Sequence, residues 1–209
     1  MMDRSISDST SLAEDMPELE LALTLRDQLV NARLRLVLVE SCTAGRVAAC
    51  LGVLPGISQW LCGSLVVYRS GSKAAWLGVP DSLLDDPRRG PVSAAASHWL
   101  ARAAIERTPE ADLALAITGD VGPGAPAETD GCIFLAAALR HNTTQHASAA
   151  VAEEPSLSTC TIIEKQQRLS SPAPRDRSDI AARQARLDEA TRCALKFACQ
   201  VITSLHVGS

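Results

Sequence analysis

Short apolar runs and helix-forming segments take turns along this chain, and that alternation narrows the fold more than any other feature. Leu34-Arg35-Leu36-Val37-Leu38-Val39, Ser64-Leu65-Val66-Val67-Tyr68, Leu113-Ala114-Leu115-Ala116-Ile117 and Gly131 to Leu139 read as strands. Pro17 to about Arg33, Thr43 to Leu54, Ser72 to Leu77, Ala94 to Arg107 and Ile180 to His206 read as helices. Their punctuation agrees: Pro17 suits a first turn, Pro55-Gly56 ends the second helix, and Ser93 is a good N-cap for the fourth. Asp81 to Pro91 reads as a loop, and Ala147–Val151 and Ser158–Ile163 are weaker strand candidates. Strands alternating with helices predict an α/β fold of three layers with a mostly parallel sheet.

The 209 residues suit one domain with a real core, and 46% of them are hydrophobic, chiefly Ala, Leu and Val. Such a chain packs helices on strands through small residues. A net charge of -4, no Lys/Arg-rich block and only 3% aromatic residues argue against a nucleic-acid partner. The seven cysteines include no C-x-x-C pair, so a zinc-ribbon metal site is not expected. Residues 1–16 are polar and acidic, unlike a signal peptide, and read as a disordered tail. No later run has the length to span a bilayer, so a cytoplasmic protein without a membrane partner is expected. Residues 17–209 then form a single domain, with Glu164 to Arg175 a mobile insertion.

In a doubly wound fold the working loops lie beyond the carboxyl ends of strands, here Glu40–Arg46 and Thr118–Gly124. The first, Glu40-Ser41-Cys42-Thr43-Ala44-Gly45-Arg46, joins a strand to a helix N-terminus, where free N–H groups can hold an oxyanion or a phosphate. Ser41 is a candidate nucleophile if a base lies near it; Ser41 or Thr43 could equally just cap the helix. Cys42 could also be a nucleophile, but no histidine sits in a comparable loop. Tyr68 and Lys73 are five residues apart across a turn that could aim both at one point. A lysine whose charge is suppressed by burial can take a serine proton, and a tyrosine hydroxyl can relay one. On its own, Lys73 reads first as a solvated surface charge. In Thr118-Gly119-Asp120-Val121-Gly122-Pro123-Gly124 the glycines let a ligand approach the backbone, although an ordinary loop looks the same.

Together these pieces resemble the CinA C-terminal domain family, the nicotinamide mononucleotide deamidases. Glu40-Ser41-Cys42-Thr43-x-Gly45, Tyr68 with Lys73, and Thr118-Gly119-x-x-Gly122-Pro123-Gly124 carry the likeness over about residues 17–139. Leu54-Pro55-Gly56-Ile57-Ser58, Leu77-Gly78-Val79, Val92-Ser93 and Gly131-Cys132-Ile133-Phe134 support it, and Arg175-Asp176-Arg177 echoes a Gly-Asp-Arg element. The resemblance implies a three-layer α/β/α domain with a mixed sheet, in a stand-alone form and as a homo-oligomer. It implies hydrolysis of a small-molecule substrate, the carboxamide of nicotinamide mononucleotide, with no metal and no cofactor. By position, Ser41 is the nucleophile, Lys73 the general base and Tyr68 the proton relay. Glu40, Thr43, Gly45, Ser70, Thr118, Gly119, Gly122 and Arg177 are the residues that it puts at the substrate. An acyl-enzyme on Ser41 would have its oxyanion at the helix N-terminus.

The chain departs from the family pattern at Ala44, at Ser70, at Asp120-Val121, at Ala125-Pro126 and at Glu128-Thr129-Asp130. These changes make the rim of the second loop more acidic. An anionic mononucleotide then needs Arg46, Arg69 or Arg177 to compensate. A different small amide, or a non-catalytic nucleotide-binding or interaction module, are the alternatives that follow from that rim.

Overall fold

A computed structural model describes residues 17–141 and 160–207. Five strands form one sheet in the order β2-β1-β3-β4-β5, with β1 Leu36–Glu40, β2 Leu61–Val66, β3 Leu113–Gly119, β4 Cys132–Arg140 and β5 Cys160–Arg168. β1 pairs in parallel with both β2 and β3, whereas β4 runs antiparallel to β3 and to β5. The sheet is therefore mixed, with β4 alone reversed, in the α/β arrangement that the alternation predicts.

Among the described residues six α-helices cover the two faces: α1 Pro17–Ala32, α2 Arg46–Gly52, α3 Ser70–Leu77, α4 Asp81–Leu84, α5 Ala94–Arg107 and α6 Ile180–Val207. The period-two alternation of the strands sorts their side chains between two cores. Leu36, Leu38, Leu113, Leu115 and Ile117 point to the layer of α1, α2 and α6. Val37, Val39, Ala114, Ala116, Ala136 and Ala138 point to the layer of α3, α4 and α5. On this second face alanines of the sheet meet Ala101, Ala103 and Ala104 of α5, so small residues line both sides of the contact. Ser93 caps α5 as expected, its Oγ accepting from Ala96 N at 3.1 Å.

Several elements differ from their expected bounds. β2 starts at Leu61 and ends at Val66, earlier than the run Ser64–Tyr68 suggests. Leu36 N donates to Trp60 O at 2.7 Å and draws that earlier stretch into the ladder, while Val67 and Tyr68 fall outside the strand. α2 starts at Arg46 because Ala44 and Gly45 hold left-handed backbone conformations, with φ of 53° and 94°. Asp81–Leu84, read as loop, is a short helix. The expected insertion near 164–175 is strand over its first five residues, because Glu164 to Arg168 pair with Cys132 to Ala136 of β4. The loop after it is tied down as well. The Glu189 carboxylate accepts from the amides and hydroxyls of Ser170 and Ser171 at 2.6–2.8 Å. The tail 1–16 and the strand candidate Ala147–Val151 lie outside the described residues. Among the described residues no helix is long and apolar enough to cross a membrane, and no cluster of His, Cys, Asp and Glu could hold a metal ion.

Candidate active site

β1 ends at Glu40 between its neighbours β2 and β3, and this places Ser41 at the sheet's carboxyl edge. Ser41 N still donates to Ile117 O of β3 at 3.0 Å, and Val67 N donates to Glu40 O at 2.8 Å. Both candidate loops leave the sheet here side by side, around a cavity of about 260 Å³. Ser41, Cys42, Tyr68, Ser70 and Lys73 line one side of it, and Gly119, Asp120, Val121 and Gly122 another, with Arg183 from α6.

Lys73 is the largest of the fully buried side chains, at 2% exposure, and its Nζ lies 2.8 Å from Ser41 Oγ, itself 5% exposed. Ser41 is the only hydrogen-bond partner of Nζ among the described residues, and no carboxylate pairs with the lysine. Burial disfavours the ammonium and pulls its pKa from 10.5 down to about 8, with a small opposing pull from Cys42. A minor neutral fraction, growing as pH rises towards 8, is then available to accept the Ser41 proton. The neighbouring thiol behaves oppositely: burial pushes the Cys42 pKa up to about 12. Cys42 is held as a thiol, a poor nucleophile.

Glu40 organises the loop from behind. Its buried carboxylate accepts from Thr43 Oγ1 at 2.8 Å, Gly45 N at 3.0 Å, Val47 N at 3.1 Å, Ala48 N at 2.9 Å and Ser64 Oγ at 3.2 Å. Thr43 and Gly45 are thus ligands of Glu40, and none of the three lines the cavity. The oxyanion expected at the helix N-terminus is also displaced, because Glu40 already occupies the first amides of α2. Among the described residues, the N–H groups of Cys42, Val121 and Gly122, all of which line the cavity, have no backbone acceptor, although that of Cys42 lies against its own thiol.

The second loop divides likewise. Thr118 is fully buried and does not line the cavity; its Oγ1 donates to the carbonyl of Pro91, which does, at 2.9 Å. Gly119 and Gly122 do face it. A Cβ on Gly119 would stand 2.7 Å from Ile133 Cγ2 and 3.1 Å from Cys42 Sγ, so only glycine lets the two loops approach so closely. Gly122 has φ of 63°, and a Cβ there would stand 3.2 Å from Pro174 Cδ.

None of the three arginines expected to compensate lines the cavity. Arg46 Nη1 donates to Asp188 at 3.0 Å and its Nη2 to Gln184 at 2.7 Å, and neither Arg69 nor the exposed Arg177 lines the cavity. Arg183, in the first turns of α6, lines it instead. Its guanidinium donates to Gly122 O and, at 2.9 Å, to Tyr68 Oη. Nothing in the sequence singles Arg183 out from the other arginines near it; the signal is only its helical position. Tyr68, 52% exposed, stands at the rim and bonds to neither Ser41 nor Lys73. The acidic rim is also less exposed to a ligand than its sequence suggests. Arg186 grips Asp130 with two bonds of 2.6 and 2.9 Å and holds its carboxyl below the usual range. Glu128 does not line the cavity; Asp120 alone of these acids does.

A family model described as the CinA C-terminal domain matches residues 18–158. A putative competence-damage inducible protein of Desulforudis audaxviator is 37% identical over 135 residues, which are 64% of this chain and 31% of that protein. A CinA-like protein of Geobacter metallireducens is 42% identical over 105 residues, 49% of this chain and 25% of that protein. The match thus spans a third or less of these curated relatives. A CinA superfamily crystal structure from Klebsiella pneumoniae superposes with a TM-score of 0.70 at 20% identity, covering 90% of this chain and 98% of that one. The competence/damage inducible protein CihA of Agrobacterium tumefaciens gives 0.66 at 26% identity, covering 86% and 92%.

Proposed function

The chain belongs to the CinA C-terminal domain family, and from that premise we propose that it is an amidohydrolase cleaving the carboxamide of nicotinamide mononucleotide. The products are nicotinic acid mononucleotide and ammonia. The observation that carries this is the buried Lys73–Ser41 pair, 2.8 Å apart on the wall of a cavity. An amine poised to lose its charge beside a serine hydroxyl is the activation a serine nucleophile needs.

In the proposed reaction neutral Lys73 takes the Ser41 proton as Oγ adds to the amide carbon. The negative oxygen that develops is met by the N–H groups of Cys42, Val121 and Gly122 rather than by α2. As the C–N bond breaks, the nitrogen takes a proton from the Lys73 ammonium, directly or through Tyr68, and leaves as ammonia. Water then adds to the ester carbon, giving its proton to Lys73, and the carboxylic acid departs as Oγ is reprotonated. Ser70, Gly119 and Gly122 contact the substrate, with Arg183 in place of Arg177 as its cation. Glu40, Thr43, Gly45 and Thr118 act as positioning residues that fix the two loops. The chemistry needs no metal or cofactor, and we place it in the cytoplasm, in a homo-oligomer.

The test is ammonia release from nicotinamide mononucleotide by purified protein, beside Ser41→Ala and Lys73→Ala. Release by the wild type and a fall to background in both variants is the expected result. Folded wild-type protein that releases no ammonia at high substrate and enzyme removes the proposal. Release from another small amide alone would keep the Ser/Lys chemistry and change the substrate.

A further inference from the structure

Besides Lys73, two charged side chains on the cavity wall have no counter-charge among the described residues. Asp120 is held by its backbone on both sides: its N donates to Cys132 O at 3.0 Å, and Gly131 N donates to its O at 2.8 Å. Thr129 Oγ1 donates to Asp120 Oδ2 at 3.1 Å, and among the described residues no cation pairs with this carboxylate. Among the described residues, the Arg183 guanidinium donates only to neutral oxygens, those of Gly122 and Tyr68. The contrast with the nearby Asp130, locked to Arg186, is sharp. Asp120 and Arg183 both line the cavity that holds Ser41 and Lys73, yet they do not pair with each other.

An anion alone would gain from Arg183 and be repelled by Asp120; a cation alone would have the reverse. A neutral amide would use neither charge. Only a ligand carrying both signs is favoured by both. We propose that Asp120 is a specificity-determining residue which, with Arg183, makes this cavity select zwitterionic carboxamides. Nicotinamide mononucleotide, the substrate already proposed, is such a ligand: a positively charged ring bearing the scissile amide, joined to an anionic tail. Asp120 faces the cationic ring and Arg183 the tail. The inference rests on the amidohydrolase reading, since it assigns the charges of that same substrate site. It also turns the acidic residue of the second loop from an obstacle into a selector. Both charges act across a partly enclosed site, where attraction at a few ångströms is stronger than in open water.

The experiment uses nicotinamide mononucleotide, its ring-reduced form, which is neutral at the ring, and the nucleoside that lacks the phosphate. For each protein the ratio of kcat/KM between two substrates is taken. Comparing that ratio between wild type and variant cancels the intrinsic reactivity of each amide. In Asp120→Asn the preference for the oxidised over the reduced ring should fall about tenfold, or about 1.4 kcal/mol, mainly through KM. In Arg183→Gln the preference for phosphate over no phosphate should fall by a similar factor, with the ring preference kept. A ring preference unchanged in Asp120→Asn, in protein that still releases ammonia, overturns the inference and leaves the amidohydrolase reading standing. If the wild type hydrolyses none of the three, that reading fails and calorimetric binding to Ser41→Ala decides the charge question. Tighter binding of the zwitterion than of its ring-reduced form, lost on adding Asp120→Asn, supports the inference. Equal binding of the two forms, or no binding of either, overturns it.

Discussion

Lys73 combines a structural liability with a chemical use. A buried ammonium is disfavoured, so its folded pKa of about 8 lies below the ordinary 10.5. The sign follows: the fold bears the burden of charged Lys73 fully below pH 8, and that burden fades as pH rises from 8 to 10.5. Lys73→Met, similar in length and apolar, should therefore raise stability at pH 7 by about 2 kcal/mol while abolishing ammonia release. Urea unfolding at pH 7 and pH 10 checks it, and the gain should shrink at the higher pH. If Lys73 is the base, kcat/KM for the wild type should climb with pH and level off above about 8, where the free lysine is neutral. A flat profile between pH 6 and pH 9 would remove it from that role. Glu40 is the opposite kind of residue. Its carboxylate is satisfied by five donors, so it fixes the loop and contributes to chemistry only by placing Ser41.

Among the elements, α5 and α6 do different work. α5 lies on a face where Ala114, Ala116, Ala136 and Ala138 keep the sheet surface low, so its own alanines can approach. Ala136→Leu adds volume where there is no space and should destabilise the domain by about 1–3 kcal/mol, seen as a lower urea midpoint. An unchanged midpoint would mean that this face is looser than the burial of Ala136 suggests. α6 instead supplies the site, because Arg183 and Arg186 stand one turn apart on the side facing the second loop. The helix was legible from its composition, as was the N-cap of α5. Which arginine reaches the cavity was not, since Arg177 and Arg183 differ only in whether the chain has begun to coil.

At the scale of the whole molecule, the sheet order brings residues 40–46 and 118–122 together, and ties from α6 close the far side. One of these ties is pH-sensitive. Burial alone would raise the pKa of Glu189, but the amides and hydroxyls of Ser170 and Ser171 outweigh it and leave the carboxyl at about 2, below the ordinary 4.5. Its contribution is present above pH 4.5 and is lost as pH falls from there towards 2. Glu189→Gln should be less stable than wild type at pH 7, with the gap closing between pH 4.5 and pH 3. Urea midpoints across that range give the measurement, and a constant gap would contradict it.

Period and punctuation in the sequence determined the alternation of strands and helices, and with it the class of fold and the two loops beyond the strand ends. The motif residues Ser41, Tyr68 and Lys73 were legible too, because each sits within a few residues of an element boundary that local propensity sets. Tertiary structure decided what those residues face. Glu40, Thr43, Gly45 and Thr118 lie inside the motifs yet turn to the scaffold, because the free amides of α2 and the carbonyl of Pro91 needed partners once buried. Asp130 is neutralised and Asp120 is not because only the first lies within reach of an arginine on a helix 56 residues later in the chain. Hydrophobic pattern is a local property that a sequence displays directly. The pairing of charges is decided by distance in space, which exists only after the chain has folded.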